Sequence, residues 1–137
     1  MPDTRNVALY VRVVHEDGDA VAMQEAMLRK YAEEHGYANI SVYVDNGFNG
    51  IRHDRPAFIR LNEDIAAGLI CKVLVRDISR ITRNSFEIPE WIRKIQRHGV
   101  TFVSVADGVT EETFGRDDGL YHWLANIIPK KPSVNQI

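Results

Sequence analysis

The sequence predicts a three-layer, doubly wound α/β fold with a mainly parallel central sheet. Short apolar runs alternate along the chain with longer stretches that have helical periodicity. The apolar runs are nearly continuous, as in strands that are covered on both faces. Parallel strands need crossover connections, which place helices on both sides of the sheet. The 137 residues are about enough for one domain.

Four strands are predicted, at residues 7–14, 40–44, 69–75 and 101–105. The first strand is apolar except for Tyr10 and Arg12. Side chains alternate between the faces of a strand, so Tyr10, Arg12 and Val14 are expected on one face. The carboxyl ends of parallel strands meet at one edge of the sheet, and we expect functional residues at that edge.

Four helices are predicted, from residue 20 to His35, from Pro56 to the residue before Gly68, from Asn84 or Ser85 to His98, and over residues 119–128. Residues 17–19 supply the turn and cap before the first helix, and Gly36 follows it as a C′ glycine. Pro56 opens the second helix, where a missing N–H costs nothing, and Asp54 is expected to cap it. Pro89 is tolerated only near the first turn of the third helix, so it bends or delays the start. Residues 1–128 are expected to form the domain, and residues 129–137 a loose tail.

The composition is that of an ordinary globular protein, with 45% hydrophobic and 26% charged residues. No apolar run approaches the ~18 residues that span a bilayer, and no secretory signal stands at the start. The single Cys71 excludes an intramolecular disulfide framework and fits a reducing cytoplasm. The five histidines lack metal-ligand spacing, and no P-loop or dinucleotide fingerprint is present. We therefore expect a cytoplasmic protein with no membrane partner, no metal and no cofactor.

The net charge is −2, from 17 Lys and Arg residues against 19 Asp and Glu residues. A domain that binds DNA mainly through its bulk charge is usually basic. Contact with nucleic acid would therefore come from a local cluster of arginines or from a segment outside this chain.

Arginines recur at the predicted carboxyl edge of the sheet. Arg12 lies in the first strand, Arg55 precedes the second helix, and Arg80 and Arg83 follow the third strand. A guanidinium offers a planar fork of donors that matches the oxygens of a phosphate. Several such groups would stabilise the charge that grows on a phosphodiester in its transition state.

Structural interpretations of the same arginines stay open. An arginine in a central strand needs a partner, and a buried ion pair of Arg12 with Asp45 or Asp77 would provide one. Arg80 and Arg83 are three residues apart, a spacing that is equally typical of a solvated polar loop.

Seven sequence blocks together resemble the catalytic domain of the serine recombinases, the resolvase/invertase family. The blocks are YVRV at 10–13, YAEEHGY at 31–37, YVD at 43–45, DRPAF at 54–58, VLVRDISR at 73–80, RN at 83–84 and GVTFVSV at 99–105. They cover residues 7–110, in the order and spacing of large serine recombinases and transposon-type members.

The resemblance implies a resolvase-like catalytic domain that cleaves and rejoins DNA strands without metal or ATP. In that family a serine attacks a phosphodiester and forms a 5′-phosphoserine link, within a dimer or tetramer. The matching phosphate-binding arginines are Arg12, Arg55, Arg80 and Arg83. The matching supporting positions are Tyr10, Gln24, Asp45 and Asp54.

Val14 departs from the family pattern, because it stands where the motif Tyr-x-Arg-Val-Ser has its nucleophilic serine. Valine has no atom that can attack phosphorus. Neighbouring hydroxyls such as those of Tyr10, Ser79, Thr82 and Ser85 would have to come within ~3–3.5 Å of the phosphorus to replace it. We therefore expect DNA cleavage to be impaired, which leaves open whether this chain is an enzyme.

Two alternative functions follow from the same sequence. The first is a non-catalytic regulatory subunit that assembles with an active partner recombinase. The second is a receiver-like signalling module, for which Glu16, Asp17 and Asp77 fit the acidic positions, although no lysine follows the fourth strand. Family members continue into a long helix and a DNA-binding domain, and we expect these to be absent from a chain that ends at Ile137.

Overall fold

The computed structural model describes residues 4–48, 54–84 and 86–111. The strands in this part of the chain are β1 Asn6–Val13, β2 Ile40–Asn46, β3 Ile70–Val75 and β4 Thr101–Ser104. The helices are α1 Gly18–Glu34, α2 Pro56–Ala66 and α3 Ile88–Arg97, with a 3₁₀ turn at Ile78–Arg80. The four strands pair in parallel in the order β2-β1-β3-β4. No helix of these described residues is long and apolar enough to cross a membrane.

Strand β1 separates two hydrophobic cores because its side chains alternate between the faces of the sheet. Leu9 and Val11 pack with Leu28 of α1 on one face. Ala8 and Tyr10 belong to the core on the other face, which the apolar residues of α2 and α3 complete. Helices therefore cover both faces of a parallel sheet, and the predicted three-layer α/β fold is confirmed.

The end of β1 and the two ends of α1 differ in how closely they follow the sequence prediction. β1 ends at Val13, so Val14 is the first residue after the strand rather than its last residue. The Asp17 carboxylate caps α1 by accepting hydrogen bonds from the amides of Asp19 and Ala20, both at 3.1 Å. Gly36 has a φ of +70° after the end of α1, as expected for a C′ glycine.

The predicted cap of α2 by Asp54 is wrong. Arg55 occupies the N-cap position without a side-chain cap bond, and Asp54 is exposed. The buried Asp45 carboxylate instead accepts hydrogen bonds from the amides of Ala57 at 2.9 Å and Phe58 at 3.0 Å. The cap therefore comes from the end of β2, which lies against the first turn of α2.

Helix α3 begins later than the predicted cap at Asn84 allows. Its first residue is Ile88, and Pro89 lies in its first turn, where the missing N–H is tolerated. Asn84 accepts a hydrogen bond from the Phe86 amide at 3.1 Å and so stabilises the turn before the helix. Ser85, the helix predicted at 119–128 and the tail at 129–137 lie outside the described residues.

Alkaline pH is expected to destabilise the fold through three tyrosines, of which Tyr43 is buried and Tyr31 and Tyr37 are partly buried. Burial raises the pKa of Tyr37 from 10.0 to about 12, and it also raises the pKa of Tyr31 and of Tyr43. Below pH 10.0 all three are neutral in both states, and above it the unfolded chain loses its protons first. The free energy of unfolding should therefore fall between about pH 10 and pH 12. Urea titrations across this range would measure the fall, and Tyr37→Phe should make it shallower; a pH-independent stability would contradict the prediction.

Candidate active site

The candidate site lies at the carboxyl ends of β1 and β3. The chain passes from β1 to β2 on one side and then to β3 on the other, so β1 and β3 flank the switch point of the topology. Ligands of open parallel sheets bind in the crevice at such a point. Arg12 stands near the end of β1, and the 3₁₀ turn that follows β3 carries Arg80.

Arg12 is fully buried and donates its hydrogen bonds to backbone carbonyls. Its Nε donates to the carbonyl of Arg80 at 3.0 Å, and its Nη1 donates to the carbonyl of Phe48 at 3.0 Å. Its Nη2 donates to the carbonyl of Ser79. Because these acceptors are carbonyls, the alternative of a buried ion pair with Asp45 or Asp77 is not what holds the guanidinium.

Arg55 approaches the same turn from the N-terminus of α2. Its Nη1 donates to the carbonyl of Arg80 at 2.8 Å and to the hydroxyl of Tyr10 at 3.2 Å. Its Nη2 donates to the carbonyl of Ile81, and its guanidinium lies 4.1 Å from the centre of the Phe58 ring. Arg55 is 1% exposed, so this contact is also shielded from water.

Arg12 and Arg55, named here the arginine clamp, together bind three consecutive carbonyls. Arg12 takes those of residues 79 and 80, and Arg55 takes those of residues 80 and 81. Carbonyls at the end of a helical turn carry partial negative charge, which favours nearby cations. The clamp therefore fixes the backbone that presents the next two arginines.

Arg80 and Arg83 are the more accessible members of the predicted set. The Arg80 side chain is 15% exposed, donates to the carbonyl of Arg12 at 2.9 Å and lies 3.3 Å from the Asp77 carboxylate. Arg83 is exposed. Solvent therefore reaches these two side chains, whereas the clamp is buried.

The four arginines form one electrostatic cluster. Burial, together with the positive charges of Arg55, Arg80 and Arg83, lowers the pKa of Arg12 to about 10, while Tyr10 opposes these effects. The guanidinium is still protonated at neutral pH. Four guanidinium groups outnumber the neighbouring carboxylates of Asp45 and Asp77, and an excess of positive charge favours an anion.

Tyr10, Gln24 and Asp45 support this cluster from three sides. The Tyr10 hydroxyl donates to the Asp45 carboxylate at 2.7 Å, and burial raises the pKa of Tyr10 strongly. The side chain of Gln24 accepts from the amide of Arg12 and donates to its carbonyl, both at 3.3 Å. All three therefore hold backbone or buried side chains, whereas Asp54 is exposed.

Three of the hydroxyls that the sequence offers in place of a nucleophile lie in the described part of the chain, and each is engaged elsewhere. The hydroxyl of Ser79 donates to the Asp77 carboxylate, and the hydroxyl of Thr82 accepts from the Asn84 amide at 3.0 Å. The Tyr10 hydroxyl is buried in its bond to Asp45. Directly after β1, the side chain of half-buried Val14 consists only of carbon and hydrogen.

Asp107 is a site residue that the sequence interpretation missed. Its carboxylate accepts from the amide of Ile78 at 2.8 Å and from the hydroxyl of Ser104 at 2.6 Å. It thereby ties the 3₁₀ turn to the end of β4. An aspartate just beyond the carboxyl end of the fourth strand was the available signal, since such ends share one edge.

The parallel sheet with helices on both faces defines a doubly wound α/β domain with arginines gathered at its switch point, and comparisons with known proteins identify its family. The model of the family Resolvase, N terminal domain, matches residues 7–126. A putative DNA recombinase of Bacillus subtilis (strain 168) is 36% identical over 96 residues, which are 64% of this chain and 18% of that protein. This chain thus spans less than a fifth of that relative's length.

Solved structures agree with the family model. The N-terminal catalytic domain of TP901-1 integrase is 28% identical with a TM-score of 0.76, over 90% of this chain and 93% of that chain. A resolvase family site-specific recombinase from Streptococcus pneumoniae is 27% identical with a TM-score of 0.73, over 90% of this chain and 85% of that chain. The chain belongs to the resolvase family, and the predicted resemblance to serine recombinase catalytic domains is confirmed.

Proposed function

We propose that this chain is a recombinase catalytic domain that engages the DNA backbone without forming a covalent link to it. The observation that carries the proposal is Val14, directly after β1 and two residues beyond Arg12, in a chain whose four matching positions are still arginine. The cluster supports binding of a phosphodiester, and the valine supports the loss of cleavage.

The missing step can be stated in bonds. In the family reaction, a serine oxygen gives up its proton and forms a bond to phosphorus, while the bond from phosphorus to the 3′ oxygen breaks and that oxygen takes up a proton to leave as a hydroxyl. The Val14 side chain has no lone pair to begin that sequence, and neighbouring groups cannot activate an atom that is absent. The arginines would stabilise charge on the phosphate, but no displacement would follow.

The accessible arginines suggest how the backbone of DNA is held. Arg80 and Arg83 are within reach of a phosphate, whereas the arginine clamp is buried and bonded to carbonyls. We assign phosphate contact to the first pair and the positioning of that pair to the clamp. The family resemblance implies phosphate contact for all four, and the clamp would meet a phosphate only if the 3₁₀ turn moved.

Restoring the serine tests the proposal. The chain would replace the catalytic domain of TP901-1 integrase, and covalent protein–DNA adducts would be scored on denaturing gels with that integrase's DNA. We expect no adduct with the unsubstituted chain and a clear adduct with Val14→Ser, because the arginine cluster is in place. Val14→Ala is the matched control, since it shortens the same side chain without supplying a hydroxyl. Adducts with the unsubstituted chain would overturn the non-cleaving proposal, and their absence with Val14→Ser would overturn the intact phosphate site.

A regulatory subunit is the second candidate, favoured by a fold that is preserved around a position unable to cleave. In that role the chain would enter assemblies with a competent recombinase and lower their cleavage. Mixing the two proteins before adding DNA would show a loss of adducts that grows with the proportion of this chain. Unchanged cleavage at every ratio would exclude this role.

A further inference from the structure

The outer face of α3 carries positive charge that the chain itself does not neutralise. Arg93, Lys94 and Arg97 are exposed, and none of them forms a salt bridge with a carboxylate of the described residues. Together with Glu90 and His98 they line one surface depression of about 340 Å³. The three cations therefore share one surface, named here the α3 basic face.

The exposed cations of α1 differ, because they have partners on their own helix. Arg29 lies 2.8 Å from the carboxylate of Glu25, and Lys30 lies 4.0 Å from that of Glu34. Pairs of opposite charge four residues apart cancel much of the charge at the helix surface on which they lie. The α3 basic face lacks such pairs within the described chain, so its positive potential extends into the solvent.

The sequence of α3 concentrates charge of one sign at the end of the helix. Residues 91–98 contain three Lys or Arg residues and no Asp or Glu, although the whole chain has a net charge of −2. The carboxyl end of a helix carries about half a negative charge, which stabilises Lys94 and Arg97 in the last turn. Because that half charge offsets only part of three unit charges, the surface favours an anionic partner.

The spacing of the two arginines suits a nucleic-acid backbone. Arg93 and Arg97 are four residues apart, so they lie on one side of α3, separated by about 6 Å along the helix axis. Each strand of a DNA duplex carries one phosphate per ~3.4 Å of its axis, so this interval corresponds to about two phosphates. Guanidinium groups bind phosphate oxygens as planar forks. A duplex therefore offers a row of acceptors at the interval that the helix sets.

Helix α3 also begins close to the proposed phosphate contacts. Exposed Arg83 lies five residues before Ile88, the first residue of the helix. The ten residues of α3 extend about 15 Å from there, and the basic face occupies the second half of that length. A duplex that lies along α3 would meet Arg83 near one end of the helix and the basic face near the other.

We propose that the α3 basic face binds the backbone of duplex DNA, as a second contact beyond Arg80 and Arg83. The contact is independent of base sequence, because phosphates carry no sequence information. The inference rests on the proposed function, since it extends the DNA contact assigned to those two arginines. The family resemblance assigns phosphate contact to other arginines and gives this face no role.

The salt dependence of DNA binding tests the α3 basic face. The whole chain would be titrated into a short fluorescent duplex at several salt concentrations, with anisotropy as the readout. Each phosphate contact contributes about −0.9 to the slope of log affinity against log salt concentration. We expect the double variant Arg93→Gln/Arg97→Gln to reduce the size of that slope by about 1.8 and to weaken binding roughly tenfold at low salt. Glutamine has nearly the helix propensity of arginine, so α3 is retained.

The double variant Arg29→Gln/Lys30→Gln on α1 is the matched control. It removes the same amount of charge from exposed helical positions, but α1 packs on the opposite face of the sheet from α3. We expect it to keep the slope and the affinity of the unsubstituted chain. Fluorescent poly-glutamate, titrated in parallel, represents an acidic protein partner. If Arg93→Gln/Arg97→Gln weakened poly-glutamate binding and left duplex binding unchanged, the face would belong to a protein partner and the proposal would be overturned.

Two further results would overturn the proposal, namely equal slopes for the two double variants and no duplex binding by the unsubstituted chain even at low salt. Covalent adducts of Val14→Ser are scored in a separate assay and do not require the α3 basic face. The failure of this second contact and the failure of the proposed function are therefore distinguishable.

Discussion

Arg12→Met is expected to lower the free energy of unfolding by about 3 kcal/mol, the largest effect at the site. The substitution keeps a long apolar side chain but removes every donor. The carbonyls of Phe48 and Ser79 then lose the guanidinium that binds them, whereas the carbonyl of Arg80 retains Arg55. Each unsatisfied buried carbonyl costs ~1–3 kcal/mol, and relief from burying a charge returns part of that.

Urea unfolding measures the effect, and two further variants set its scale. Exposed Arg83→Met should change stability by no more than about 0.5 kcal/mol, because it removes a surface charge. Arg12→Lys should fall between the two, since an ammonium cannot copy the planar fork. Equal stability of Arg12→Met and Arg83→Met would show that the carbonyl contacts contribute nothing.

Combining Arg12→Met with Arg55→Met tests whether Arg12 and Arg55 act together. Each single variant leaves the carbonyl of Arg80 with one donor, and only the double variant leaves it with none. Mutual repulsion of the two cations is relieved by either single change, so the second change gains nothing more. Both effects make the double variant less stable than additivity predicts. Its loss of free energy of unfolding should exceed the sum of the losses in the two single variants by about 1–3 kcal/mol. Strict additivity would contradict the clamp.

The order of elements was predictable because apolar periodicity is a local property of the chain. Strand β1 shows this, since its near-continuous apolar run is what a strand between two helical layers needs. Pro89 likewise limited where α3 could begin. Neither argument requires knowledge of which distant segments meet.

The hydrogen-bond partners were not predictable, because they are distant in sequence. Arg12 and the carbonyl of Arg80 are 68 residues apart, and no spacing rule relates them. A buried arginine in a strand requires hydrogen-bond acceptors, but a carboxylate, a phosphate or a set of carbonyls can each provide them. The prediction of the α2 cap failed for the same reason. Asp45, which accepts from the Ala57 amide, lies 12 residues before it, whereas the predicted cap Asp54 lies close to the start of the helix in sequence.

Asp45 ties three elements together, and Asp45→Ala is the second substitution with a large expected effect. The carboxylate is 1% exposed and accepts from the Tyr10 hydroxyl and from the amides of Ala57 and Phe58. Alanine leaves all three donors buried without an acceptor, so we expect the free energy of unfolding to fall by about 3 kcal/mol.

Asp45→Asn separates the charge from the geometry, since its amide oxygen can accept from one helix amide while its NH₂ group faces another donor. The loss should be about 2 kcal/mol, and hydrogen exchange at Ala57 and Phe58 should speed up in both variants. Exposed Asp19→Ala in α1 is the matched control, where losing a first-turn carboxylate costs about 0.5 kcal/mol. If Asp45→Ala were as mild as that control, β2 would not hold the start of α2. Arg55, the residue before α2, would then be positioned only by its hydrogen bonds to the carbonyls of Arg80 and Ile81.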